Sequence, residues 1–261
     1  AQGLSSVLVA SRVSLYVRGL RIANGNRSCV KLHHALARFE DVSVEGCTSP
    51  DHGGGFFIHH SNVAFERVHI RHCAAALNGG GVFLSGEDSF DSSLVALHSS
   101  IANCSAGYGS YVDEADGGGL AAESSALFMA HTNITECRVY ALTDSEGGGV
   151  SLTSTYSRLK SVKIARCSAW GRDRYGSRRY GVGGGLFVKS AAGDRMNFSR
   201  ANVSHSYWLE VPPFTELRDE LSEIPWGELV SDVGSWRPAE EPWLLDAYDL
   251  EVVDCAAEGF Y

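Results

Sequence analysis

The stretch SIANCSAGYGSYVDEADGGGL, Ser100–Leu120, decides how this chain is read. A short apolar–polar alternation ends in a cysteine. A polar segment follows, then three glycines, then apolar residues again. The arrangement recurs as SVEGCTSPDHGGGFFI (Ser43–Ile58), HIRHCAAALNGGGVFL (His69–Leu84), NITECRVYALTDSEGGGVSL (Asn133–Leu152) and KIARCSAWGRDRYGSRRYGVGGGLFV (Lys163–Val188). Self-similarity at intervals of tens of residues is the signature of a repeat architecture.

Counting back ten, eight, five and three residues from each cysteine gives one pattern. Cys73 is preceded by Val63, Phe65, Val68 and Ile70, and Cys104 by Leu94, Ala96, Ser99 and Ile101. Cys137 follows Leu127, Met129, Thr132 and Ile134, while Cys167 follows Ser157, Leu159, Val162 and Ile164. Cys47 and Cys255 carry matching sets, and two more end at Gly25 and Ser206, which makes eight copies. Steps of two keep side chains on one face of an extended strand. The single step of three marks a bend that re-aims the next strand. Between the last two apolar positions stand Arg21, Ser43, His69, Ser100, Asn133, Lys163, Asn202 and Glu251, all polar and hence outward-facing.

A third strand begins after the glycines, with apolar residues one and three places on. The expected fold is therefore all-β: a single-stranded parallel β-helix of about eight coils, three short strands per coil. Parallel crossovers are right-handed in about 98% of cases, which sets the expected hand. The glycines open a strand where the coil turns sharply, and the cysteine is a small apolar residue closing the one before.

The pattern I/V-x-x-N/C-C/S-A, loop, G-G-G-V/L resembles the Gly-Gly-rich repeats of chlamydial polymorphic outer-membrane proteins and their protist relatives. More broadly it is similar to the pectin-lyase-like right-handed β-helix superfamily. The resemblance covers residues 12–206 and returns at 245–257. It implies a secreted or surface molecule with an adhesive or structural role, and supplies no catalytic residue.

Three segments follow: coils over 1–206, an acidic and partly helical excursion over 207–244, and a final coil with tail over 245–261. Residues 210–261 carry 14 acidic and 2 basic side chains, against 17 and 20 in the remainder. In FTELRDELSEI the residues Phe214, Leu217 and Leu221 share a helical face. No dense basic stripe suggests nucleic acid, and no apolar run reaches the ~20 residues of a membrane span.

Five of the eight asparagines, Asn26, Asn103, Asn133, Asn197 and Asn202, lie in N-x-S/T sequons, which points to glycosylation on a eukaryotic secretory route to the cell surface or beyond. On that route the repeated cysteines Cys47, Cys73, Cys104, Cys137 and Cys167 have two readings. Neighbouring coils at ~4.8 Å permit a disulfide ladder, Cys47–Cys73 with Cys104–Cys137 or Cys137–Cys167. The unusual angles of vertical bridges favour buried free thiols instead.

Histidines fall into register as well: His33 with His59, His34 with His60, His98 with His131. No carboxylate recurs beside them, so stacking at corners is expected rather than a metal site, and no cofactor is implied.

The segments between cysteine and glycines lengthen from five residues to 12, 9 and 15 after Cys104, Cys137 and Cys167. They carry Tyr108, Tyr111, Asp113, Glu114, Asp116, Tyr140, Asp144, Trp170, Arg172, Arg174, Tyr175, Arg178, Arg179 and Tyr180. Aromatic rings with charged groups along one edge suit recognition of a glycan or an extracellular protein. The outward acids Glu45, Glu123, Glu136 and Glu251 are scattered, and paired aspartates and G-H-G are absent. The leading expectation is a non-catalytic structural, assembly or adhesin-like protein. The alternative is a lyase or glycoside hydrolase acting on an acidic polysaccharide, which would need acids on adjacent coils over one groove.

Overall fold

The computed structural model describes residues 5–86, 91–107, 112–171, 181–189, 196–199, 202–203 and 245–259; for 196–199, 202–203, 245–246 and 256–259 it describes the backbone alone. Every described strand pairing is parallel, and no helix occurs among the described residues. The proposed helical segment within 207–244 lies outside them.

Four parallel sheets run the length of the stack, and a fifth covers part of it. Sheet A, of seven strands, begins with Leu8–Ser11 and Val30–His33 and holds the strands after the glycines, ending at Leu186–Lys189. Sheet B (Ser14–Arg18 onward) and sheet C (Arg21–Ala23 onward) have eight strands each. The bend expected between them is a single residue in the left-handed region: Asp41, Arg67, His98, His131 and Ser161 have φ between 48° and 54°. The residue before each cysteine repeats the device, with φ of 51° at Asn103, 57° at Glu136 and 54° at Arg166. Such values are uncommon outside glycine, and here they recur as the corner of every turn.

Register follows the sequence pattern. His69 pairs with Ser43 and Ser100, Ser100 with Asn133, and Asn133 with Lys163. The inward side chains merge into one core, in which Phe39, Phe56, Ile70, Leu84, Leu127, Met129, Ile134 and Leu152 are fully buried. Leu20 departs from its pattern and is 54% exposed, because the first coil has no described coil beneath it.

Three strands per coil proves too few. The residues after each cysteine form sheet D: Thr48–Ser49, Ala74–Ala75, Ser105–Ala106, Arg138–Ala141, Ser168–Gly171 and Ala256–Gly259. Within the long segments, Glu114–Asp116, Asp144–Glu146 and Gly181–Val182 form sheet E. Ala106, Ala115, Val139, Ala141 and Ala169 fill a second small core beside it. Small side chains bring the layers close, so part of what reads as loop is strand.

The glycines explain the corner. Gly79 has φ of 67°. A Cβ on Gly80 would meet Gly118 O at 2.3 Å and Ser105 O at 2.4 Å, and one on Gly81 would meet Cys104 Sγ at 3.3 Å. Gly55, Gly119, Gly149 and Gly185 stand in the same relation to Cys73, Cys137, Cys167 and Cys255. The cysteine thus fills the space that the third glycine leaves.

That relation corrects the disulfide ladder at its first rung. Cys47 is bonded to Cys29, not to Cys73. Cys29 precedes Val30, which pairs with Phe56, so it occupies the third-glycine position of its coil. Its Cβ points across the coil at Cys47, and the bridge is horizontal rather than vertical. Cys73, Cys104, Cys137, Cys167 and Cys255 are buried free thiols, and burial raises the pKa of Cys104 and Cys137.

Stacking order and chain order part company near the C-terminus. Leu245–Tyr248 lies between Tyr156–Lys160 and Met196–Ser199 in sheet B, and Glu251–Val253 lies between Lys163–Ala165 and Asn202–Val203 in sheet C. The last segment of the chain is therefore an inner coil of these two sheets.

Gly80→Ala is expected to cost about 3 kcal/mol or more, because backbone must move to admit the methyl. Gly19→Ala, at φ of 64° with nothing within 4 Å of its Cβ, should cost about 1 kcal/mol. Urea unfolding of the two variants checks the difference, and equal losses would contradict the close approach.

Candidate functional site

The outer face of sheet A carries the richest constellation among the described residues. Period two sends Phe57, Phe83, Ala121, Ser151 and Phe187 outward in one register column, with Lys31 before them. A second column holds His33, His59, Ser85, Glu123, Thr153 and Lys189. Ala121 and Ser151 face out of the sheet yet are 0% and 2% exposed, so neighbouring groups close over them and fill the groove between the flanking rows.

The residue before the first glycine of each repeat makes one side: His52, Asn78, Asp116, Glu146 and Val182. His52 stacks on Phe83 with ring centroids 4.4 Å apart, and its backbone neighbour across the coils, Asn78, donates its N–H to His52 Nδ1 at 3.3 Å. Asn78 Oδ1 accepts the Asp116 N–H at 3.0 Å, and Asn78 Nδ2 donates to Glu123 Oε1 at 2.9 Å. One amide therefore ties the two sides of the groove together over Ala121.

Asp116 and Glu146 are register partners on adjacent coils, as are Glu114 and Asp144. Burial, then the charges of Glu146 and Glu123, hold the Asp116 carboxyl up to about 8, with Lys189 opposing. Burial also raises Glu123 and Glu146 above the usual carboxylate range. Asp116 accordingly keeps its proton at neutral pH, and can donate a hydrogen bond where an ionised carboxylate only accepts.

Acids are thus matched between neighbouring coils at positions other than the scattered outward acids, of which Glu45, Glu123 and Glu251 have no acid as register partner. The matched pairs sit in sheet E, where the sequence pattern had shown only loop. The outward acids of sheet C behave differently. Glu45 accepts from Arg21 at 2.8 Å and Arg71 at 3.1 Å, Glu136 from Arg166 at 2.7 Å, and Glu251 from Lys163 at 2.9 Å. Those three are engaged in surface ion pairs with neighbouring coils.

Of the recognition residues expected from sequence, Tyr108, Tyr111, Arg172, Arg174, Tyr175, Arg178, Arg179 and Tyr180 lie outside the described residues. Tyr140 is exposed and pairs in register with Trp170 on the outside of sheet D. Asp113 is exposed, and its carbonyl accepts the N–H groups of Thr143 at 2.8 Å and Asp144 at 3.2 Å. Phe57, Phe83, Asn78 and Glu146 carry no role in the sequence pattern, and Glu123 stands in it only as a scattered outward acid. Their signal was positional: the residue before the glycines, and the second and fourth residues after them.

Histidines stack as their register implies. His34 and His60 lie 4.9 Å apart at 10° between planes, and His98 and His131 5.0 Å apart at 5°. No group of three His, Cys, Asp or Glu among the described residues is arranged to hold a metal ion. A shallow depression of about 670 Å³ lies elsewhere, lined by Asp41, Val42, Ser43, Arg67, His69 and His98. Arg67 Nε binds Asp41 Oδ1 there at 2.6 Å.

Asn103 and Asn133 are exposed at or beside sheet C, whereas Asn26 is half-buried with its Oδ1 enclosed. The side chains of Asn197 and Asn202 lie outside the described residues.

Comparison with protein-family models, curated proteins and solved structures returns no match for this chain.

Because the folded state holds a proton on Asp116 that the unfolded chain releases above about pH 4, stability falls as pH rises toward about 8. Asp116→Asn removes that dependence. Its melting temperature relative to the parent should rise between about pH 4.5 and about pH 8.5, by roughly 2–4 °C per kcal/mol recovered. A pH-independent difference in calorimetry would contradict the buried proton.

Proposed function

We propose that this chain is a secreted or cell-surface right-handed parallel β-helix of about eight coils, of the pectin-lyase-like kind, with a non-catalytic role in binding glycan on a rigid scaffold. The outer face of sheet A carries this reading: half-buried Phe57 stands in register ahead of the covered small residues Ala121 and Ser151, beside a polar rim of Asn78, Asp116, Glu123 and Glu146. Apolar ring faces beside converging hydrogen-bonding groups suit a sugar ring, which has both kinds of surface. The ligand class is a neutral glycan, since a polyuronate would bring further carboxylates against Glu123 and Glu146. The sequons at exposed Asn103 and Asn133 support the secretory route.

A second reading is favoured by one observation, the protonated Asp116 beside Glu123 and Glu146. A carboxylic acid with raised pKa near an ionisable partner is the equipment of a glycoside hydrolase.

A glycan array run with parallel reducing-end and unsaturated-product assays separates the two. Binding without cleavage, weakened roughly fivefold or more by Phe57→Ala, is the expected result. Cleavage that disappears in Asp116→Asn would replace the first reading by the second. Absence of both would overturn the groove as a glycan site.

A further inference from the structure

We propose that the C-terminal coil, residues 245–259, is an exchangeable element, and that the slot it fills accepts the same segment from a second copy of this chain. The strand order carries the inference. Consecutive elements normally lie side by side, yet Leu186–Lys189 is followed in sequence by Met196–Ser199 and Asn202–Val203, which stand one level too far along the stack. Their described partners are Leu245–Tyr248 and Glu251–Val253 alone. Before residues 245–259 arrive, the strands Tyr156–Lys160, Lys163–Ala165 and Ser168–Gly171 present bare edges, which are templates for strand addition.

What fits the slot is defined by its occupant. Ser161 N donates to Tyr248 O at 2.8 Å, Glu251 N to Val162 O at 2.8 Å, and Arg166 N to Val253 O at 3.1 Å. Lys163 Nζ meets Glu251 at 2.9 Å, and Ser161 Oγ meets Asp249 at 3.0 Å. Gly185 lacks the Cβ that would strike Val252 Cγ1 at 2.4 Å, as Gly149 lacks one that would strike Ile164 Cγ2 at 2.6 Å, so the segment meets the same glycine corner as the other coils. Val252 and Leu250 are buried in the common core.

Nothing in these contacts depends on the segment belonging to the same chain. Residues 204–244 separate Val203 from Leu245 in sequence, and linkage within one chain makes docking of the segment intramolecular, at an effective concentration of about millimolar or below. In dilute solution the chain's own segment wins. At comparable protein concentration a neighbour's competes, and reciprocal exchange closes a two-fold dimer with no new interface required.

The test uses the full chain in two differently tagged forms, refolded together over a range of concentrations and sized by light scattering. Dimers carrying both tags, increasing with concentration during refolding and persisting on dilution, are expected. A charge swap fixes the site: Lys163→Glu and Glu251→Lys each oppose like charges within one chain, whereas an exchanged dimer of the two matches both pairs. Their mixture should form mixed dimers at least roughly twofold more than either alone at low salt. Monomer at every concentration, or dimers indifferent to the charge swap, would overturn the proposal.

Discussion

The structure depends on a place where no side chain is allowed. At Gly80 the space for a Cβ is already taken by Gly118 O and Ser105 O, so two coils and the two arms of one coil meet through bare backbone. Gly55 N–H bonds to Gly81 O at 2.9 Å, Gly81 to Gly119 at 2.9 Å, and Gly119 to Gly149 at 3.0 Å. Any residue but glycine would hold the coils apart at this corner. The hydrogen-bond ladders of sheets A and D would then lose a common spacing.

The other recurring features follow from that corner. A third glycine without a Cβ leaves a gap that a small, soft side chain can fill, and a thiol does so in five coils. Where the third glycine becomes Cys29, the two sulfurs meet and bond. Because the corner brings sheet D beside sheet A, the residue just ahead of the glycines overhangs the outer face of sheet A. His52 reaches Phe83 and Asn78 reaches Glu123 for this reason. The groove is a by-product of closing the coil, and chemistry enters through the residues placed on its rim.

Much of this was legible in the sequence, and the omissions have physical causes. The strands of sheets B and C announce themselves by period two, and the polar outward column of sheet C from Ser43 to Glu251 forms the register ladder. Sheet D is only two residues wide in its first strands, too short for any periodicity. Sheet E hid because Ala115 and Ser145 are the inward residues of three-residue strands, and neither looks like core. Cys29 broke no pattern that counts back from cysteines, since it stands in a glycine's position. The order of the last two coils is invisible to a pattern that scores each copy alone: Ser206 and Cys255 end equally good sets in the sequence, and the order is set by the pairing of Leu245–Tyr248 with Tyr156–Lys160.

Scalar couplings across hydrogen bonds, measured by NMR on the deuterated chain, test the central claim most directly. The account predicts that the Gly81 amide nitrogen couples to the carbonyl carbon of Gly119, and that of Gly119 to the carbonyl carbon of Gly149. Couplings from these glycines to carbonyls of an adjacent antiparallel hairpin would contradict the stacked parallel coils, and with them the groove.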